Sequence, residues 1–280
     1  MKIFKDGFTI AAVAPAGRVT LDRVNAGVKA LQRMGATVKV MPHVLDGNPE
    51  LAFLAAADDM RRSDLENAWL DPEVDMIWAV RGGYGCVRLL TDLNWKRLSE
   101  RAMPVAGFSD ITALHWAMTA KNCGIPLALP MFAYLDEADE LTMAMLERSF
   151  SMEAPEFTLP ALRPGKISGM PLPGNLTVAA SLCGTSYFPD TTGKILILEE
   201  IGEYPYRVDR TLQQLLLAGA FEHCAGVVFG NFTNSGNPEE IMAILRDFTG
   251  KVSVPVFYGL KYGHELPFTS IRCDRIITVK

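Results

Sequence analysis

The sequence contains no C-x-x-C pair, no H-E-x-x-H motif and no two histidines at helical spacing. Its five cysteines, Cys86, Cys123, Cys183, Cys224 and Cys273, are dispersed and odd in number. That excludes a complete disulfide framework, leaves no ligand set for a metal, and reads as a reducing compartment. Basic clusters are also missing: 27 Lys and Arg against 32 Asp and Glu leave a net charge of −5, with no electrostatic reason to expect nucleic acid or a membrane surface as partner. No apolar run approaches the roughly 20 residues of a membrane-spanning helix. Lys2 and Lys5 before the run Phe8 to Ala16 superficially resemble an export signal. Asp6 interrupts that basic flank and the run is short, so the segment reads as a first buried strand and the expected location is the cytoplasm.

What is present is alternation. Apolar stretches of strand length alternate with helix-periodic ones, the pattern of parallel strands joined by helical crossovers, so the expected class is α/β with a doubly wound, mainly parallel N-terminal sheet. The spacing predicts strands at Thr9 to Val13, Thr37 to Met41, Met76 to Val80, Val105 to Phe108 and Pro126 to Leu129. Helices are predicted at 21–34, Ala55 to Leu70, Cys86 to Asp92 and Asp110 to Lys121. Tyr134 to Leu172 breaks the rhythm with acidic residues and then Pro155, Pro160, Pro164 and Pro171. The expected organisation is therefore an N-terminal domain over 1–135, a crossing segment over 136–172 and a smaller α/β domain over 173–280. In the last of these the spacing predicts strands at Ile195 to Leu198, Ala225 to Phe229, Pro255 to Tyr258 and Arg272 to Val279.

Ligands of open α/β sheets sit at the carboxyl ends of strands. Those ends carry Arg81-Gly82-Gly83-Tyr84-Gly85, then Ser109-Asp110, then Glu199-Glu200, with His264 a short loop beyond Tyr258. A serine at a strand-to-helix corner is either a helix cap or a nucleophile beside unpaired helix N–H groups. Three glycines in the first loop suit a tight turn, or a backbone that approaches a bound group; the loop matches no nucleotide motif. A nucleophilic serine needs a base, and the base an acidic partner. Of the four histidines, His115 points away from Ser109 on the same predicted helix and His223 precedes a strand; His43 follows a strand and stays open by position, though Met41, Pro42 and Val44 beside it offer no polar group, and His264 is the best candidate. Glu199, the first residue past an apolar run, is the chosen acid; Glu200 and Glu203 read as exposed strand-end residues. Adjacent glutamates on one strand face opposite ways, so at most one joins a given site.

The ordered set Arg81-Gly82-Gly83-Tyr84-Gly85, Gly107-Phe108-Ser109-Asp110, Gly174-Asn175-Leu176, Leu198 to Glu203, Pro205 to Arg210 and Gly263-His264 resembles the L,D-carboxypeptidase family of serine peptidases. Its members include murein tetrapeptide carboxypeptidases and microcin C self-immunity peptidases. The likeness covers nearly the whole chain. It departs from the family at Leu172-Pro173-Gly174, where paired glycines are more usual. The resemblance implies a Ser109–Glu199–His264 triad between two domains, oxyanion N–H groups from Gly83 and Asp110, no metal or cofactor, and a homodimer. Arg81, Gly82, Tyr84 and Asn175 are the candidates for contacting substrate. The implied reaction removes D-alanine from the L-centre of diaminopimelate in a muropeptide during cell-wall recycling. The alternatives are a peptidase for peptidyl or aminoacyl nucleotide conjugates, and a two-domain binding protein with no catalysis.

Overall fold

In a computed structural model, residues 2–151 and 154–280 are described. The chain divides into two compact units, the first ending at Ala138 and the second spanning Asp139–Lys280.

The first unit runs β1 (Thr9–Val13), α1 (Leu21–Arg33), β2 (Thr37–Val40), α2 (Asp58–Leu70), β3 (Met76–Ala79), α3 (Trp95–Leu98), β4 (Pro104–Gly107), α4 (Thr112–Ala120) and β5 (Ile125–Ala128). Its strands pair in parallel in the order β5-β4-β3-β1-β2. A parallel sheet is covered on both faces, and β3 is accordingly buried at every residue, whereas β2 at the edge is mostly exposed. The order reverses between β1 and β3, which defines the crevice at their carboxyl ends as the topological switch point. The doubly wound class read from alternation is the class observed.

Two helices differ from their predicted extents. Cys86 to Asp92 forms only a single 3-10 turn at Cys86–Leu89, because Asn94 caps the separate short helix α3 by accepting the Arg97 N–H. The helix predicted from Asp110 starts as a 3-10 turn at Ser109–Ile111 and becomes α-helical at Thr112.

His115 on α4 is buried, and its Nε2–H donates to the Val105 carbonyl at 2.9 Å. Burial pushes its pKa down from 6.5 to about 4. Between those values the unfolded chain binds a proton that the folded one does not, so stability rises with pH across the window and is lost on acidification. The shift corresponds to roughly 3 kcal/mol. In urea titrations at stepped pH, His115→Gln is expected to lose less stability than the parent protein between pH 6.5 and about 4; identical acid limbs would contradict the assignment.

The second unit contains α5 (Glu140–Ser149), β6 (Glu156–Phe157), β7 (Ala161–Arg163), β8 (Ile167–Asn175), α6 (Leu176–Ser181), β9 (Lys194–Ile201), α7 (Pro205–Leu217), β10 (Gly226–Thr233), α8 (Pro238–Lys251), β11 (Val256–Tyr258), β12 (Ile271–Arg272) and β13 (Ile277–Val279). A seven-stranded sheet has the order β6-β13-β8-β9-β10-β11-β7, parallel from β8 to β11 with antiparallel neighbours β13 and β7. The reading of 136–172 as a crossing segment is corrected here: it carries β6, β7 and most of β8, so the second unit is no smaller than the first. Met152 and Glu153 lie outside the described residues. Prolines obscured β8. Pro171 and Pro173 pair with Ile195 and Ile197 of β9 but lie past the stretch that β13 pairs, Ile167 to Gly169, so on the β13 side a missing N–H removes no ladder bond. The single strand predicted from Arg272 to Val279 is broken by a turn in which Arg272 binds the Asp274 carboxylate at 2.8 Å. Among the described residues, no helix is long and apolar enough to cross a membrane.

Candidate active site

In the first unit, β4 delivers Phe108 in extended conformation (φ −160°, ψ 171°) and then Ser109 at φ 63°. A helix cap is itself extended, so the cap position belongs to Phe108 and not to Ser109. A non-glycine residue held in the left-handed region costs about 1–3 kcal/mol, a cost that concentrates at functional corners. The loop after β3 passes close to this serine. A Cβ placed on Gly82 would lie 3.0 Å from Ser109 Cβ and 3.2 Å from its Oγ, so only glycine fits without displacement. Gly83 and Gly85 adopt φ 102° and 141°.

Three groups brace this loop. The Gly17 N–H donates to the Gly82 carbonyl at 3.0 Å. The carboxylate of Asp110, next to the serine, accepts the Cys86 N–H at 2.8 Å, joining the glycine loop to the serine turn. Burial raises the Asp110 pKa, opposed by the backbone N–H groups of Cys86 and Gly85 and by Arg61. Arg61, buried on α2, donates to the carbonyls of Pro15, Ala56 and Gly85 and pairs with Asp58. The sequence reading missed Arg61. Its signal was a charged side chain on the helix face that also buries Leu65, Ala68 and Trp69. Arg81 is exposed and its Nη1 donates to the Arg18 carbonyl at 2.6 Å, while Tyr84 is half exposed with its ring 5.8 Å from that of Phe53.

His43 has a partner distant in sequence, with Nδ1 2.7 Å from Asp64 Oδ1. It follows β2, three strands from β4, or about 14 Å at ~4.8 Å per strand, which removes it as a base for Ser109.

In the second unit, β9 continues beyond Leu198, so Glu199 and Glu200 are strand residues, 0% and 2% exposed. The expectation of an exposed Glu200 is overturned. Its oxygens accept the Thr177 N–H and hydroxyl at 2.9 and 2.6 Å and the Ile201 N–H at 2.9 Å, bonds that offset burial. Glu199 Oε2 lies 2.9 Å from His264 Nδ1. A carboxylate acceptor there assigns the proton to Nδ1 and makes Nε2 the acceptor nitrogen of the ring. Burial pushes the Glu199 pKa up, opposed chiefly by His264 and then Asn175.

Asn175, a candidate for contacting substrate, is buried and bonds this carboxylate pair. Its Oδ1 caps α6 by accepting the Val178 N–H at 3.0 Å, and its Nδ2 donates to Glu199 at 3.2 Å and Glu200 at 2.9 Å. Both glutamates thus join one network, contrary to the opposite-face expectation, because Glu200 at the strand end turns back onto its own backbone. The His264 loop is held by β10, whose register shifts between Phe229 and Phe232. There the Asn231 N–H donates to the Tyr262 carbonyl at 2.8 Å, and a Cβ on Gly230 would collide with that carbonyl.

The first unit therefore gathers Ser109, Asp110, Gly82, Gly83 and Arg81, and the second gathers Glu199, His264 and Asn175. A strained serine beneath a glycine loop, and a histidine oriented by a buried carboxylate, are the parts of a serine hydrolase. Family models described as the LD-carboxypeptidase N-terminal and C-terminal domains match residues 10–128 and 168–279. A murein tetrapeptide carboxypeptidase of Pseudomonas aeruginosa is 30% identical over 91% of this chain and 87% of its own length. The crystal structure of a muramoyltetrapeptide carboxypeptidase from Oxalobacter formigenes superposes with TM-score 0.83 at 28% identity, covering 95% of this chain and 92% of that one. An MccF-like protein from Bacillus anthracis shares the fold, with TM-score 0.89 at 24% identity over 99% and 94% of the two chains. The chain belongs to the LD-carboxypeptidase family. It is a serine-type carboxypeptidase.

Proposed function

We propose that the protein is an L,D-carboxypeptidase that releases terminal D-alanine from murein tetrapeptides, with Ser109 as nucleophile, His264 as base and Glu199 as the group that orients it. The observation that carries this reading is Ser109 at φ 63°, a strain that a helix cap does not need. The substrate follows from the Pseudomonas aeruginosa and Oxalobacter formigenes relatives, both named for tetrapeptide cleavage.

His264 Nε2 takes the Ser109 proton as Oγ attacks the peptide carbonyl. The N–H groups of Gly83 and Asp110 receive the oxyanion, each such donor being worth about 3 kcal/mol. His264 returns the proton to the leaving amine of D-alanine, and water then hydrolyses the acyl-enzyme by the same proton route. No step needs a metal or cofactor. The proposal requires His264 within hydrogen-bond reach of Ser109, and it places the reaction in cytoplasmic cell-wall recycling, carried out by a homodimer.

The test is product analysis on a defined L,D-tetrapeptide, its all-L counterpart and an aminoacyl sulfamoyl adenosine. Free D-alanine from the first alone is expected. Turnover of the adenosine conjugate alone would assign the nucleotide-conjugate activity instead, and turnover of none would favour the non-catalytic binding protein.

A further inference from the structure

Within the first unit a cleft of about 1080 Å³ opens at the switch point between β1 and β3. It is walled by the loop leaving β1, the segment around Phe53 and the glycine loop, and its lining includes Arg18, Thr20, Phe53, Arg81, Gly83 and Tyr84. Hydrogen bonds fix this shape. The Arg18 N–H donates to the Phe53 carbonyl at 3.1 Å, and the Arg18 carbonyl accepts from Arg81 at 2.6 Å. The rings of Phe53 and Tyr84, 52% and 48% exposed, tilt toward each other at 56°.

Two properties define the ligand. In a chain of net charge −5, the described residues lining the cleft include two arginines and no aspartate or glutamate. The volume, near the upper end of the roughly 300–1,000 Å³ typical of small-molecule sites, far exceeds what one leaving alanine occupies. Gly83 belongs both to this lining and to the proposed oxyanion site, and its neighbour Gly82 packs on Ser109. The cleft therefore borders the proposed oxyanion site.

We infer that this cleft binds the retained acyl segment of the peptide, the part left on the enzyme when D-alanine departs, and selects for carboxylates on that segment. Arg18 and Arg81 pair with those carboxylates, while Phe53 and Tyr84 pack against the peptide backbone. The inference rests on the proposed hydrolysis, and it makes Arg18 a specificity-determining residue rather than a catalytic one.

The experiment compares Arg18→Gln with the parent enzyme on two tetrapeptides. One has its acyl-segment carboxylates free, the other has them amidated, and both keep the terminal D-alanine carboxylate. Arg18 is exposed, and its backbone bonds survive the substitution. The expected loss in kcat/KM is ~10- to 100-fold on the free peptide, the scale of a hydrogen bond to a charged group. On the amidated peptide the change should stay within about twofold. Equal losses on both peptides, or none on either, would overturn the cleft assignment.

Calorimetry with the tripeptide product, which needs no turnover, separates the two readings. Arg18-dependent tripeptide binding without D-alanine release would sustain the cleft and reject the reaction. D-alanine release indifferent to Arg18 on both peptides would do the reverse. Phe53→Ala is expected to weaken both tripeptides, free and amidated, by the same factor; unchanged affinity for both would remove the aromatic pair from the site.

Discussion

Ser109→Gly is expected to make the protein more stable by about 1 kcal/mol while removing essentially all turnover. Glycine occupies φ 63° without the Cβ clash that serine suffers there, so the substitution releases strain that the folded chain now carries. Ser109→Ala keeps the Cβ and hence the strain, so its stability should match the parent within about 0.5 kcal/mol while its activity is equally lost. Removing a serine nucleophile costs on the order of 10⁶ in kcat where a triad has been dissected. Urea unfolding of the three proteins checks the stability order, and D-alanine release checks activity. If glycine proved no more stable than alanine, the positive φ would not be stored strain. A helix cap predicts a different pattern, in which both variants retain turnover and alanine is destabilised by ~1 kcal/mol.

Glu199→Gln is expected to lower kcat about 10⁴-fold, as an acid-to-amide change does in a comparable triad, with little change in fold. Asn175 dictates how the new amide sits. Its Nδ2 donates to the Oε1 position, so the glutamine carbonyl takes that place and its NH2 faces His264 Nδ1. An NH2 cannot accept the Nδ1 proton, so the imidazole adopts the other tautomer with its proton on Nε2, and that nitrogen cannot deprotonate Ser109. KM should hardly move, because no substrate contact is removed. A loss confined to KM, or a kcat within tenfold of the parent, would show that Glu199 does not set the tautomer. Burial already raises the Glu199 pKa, so activity should fall on acidification as this carboxylate takes up a proton.

Much of the architecture was legible because parallel strands advertise themselves locally. Each is a short apolar run followed by a periodic helix, and the first sheet needs nothing more. The serine corner and His264 were reachable from the same rule, that strand carboxyl ends carry the chemistry. What stayed hidden depends on contacts between residues far apart in sequence. Arg61 meets the Pro15 carbonyl and Asn175 meets Glu199, and neither partnership leaves a trace in local spacing. Glu200 looked exposed because its partners at Thr177 lie on another element. β8 was misread because proline breaks a strand only where its own N–H is needed, and beyond Gly169 the β13 side of β8 is unpaired while its β9 side stays paired to Asn175. The backbone angle of Ser109 left no sequence signal at all, yet it is the observation on which the proposed nucleophile rests.

In the proposed mechanism Ser109 attacks the substrate carbonyl. The most direct measurement is covalent labelling with a peptidyl fluorophosphonate, followed by peptide mapping of the parent protein and of Ser109→Ala. One adduct on the peptide containing Ser109, absent from the variant, is the predicted result. No adduct, or an adduct on a different serine, would contradict it.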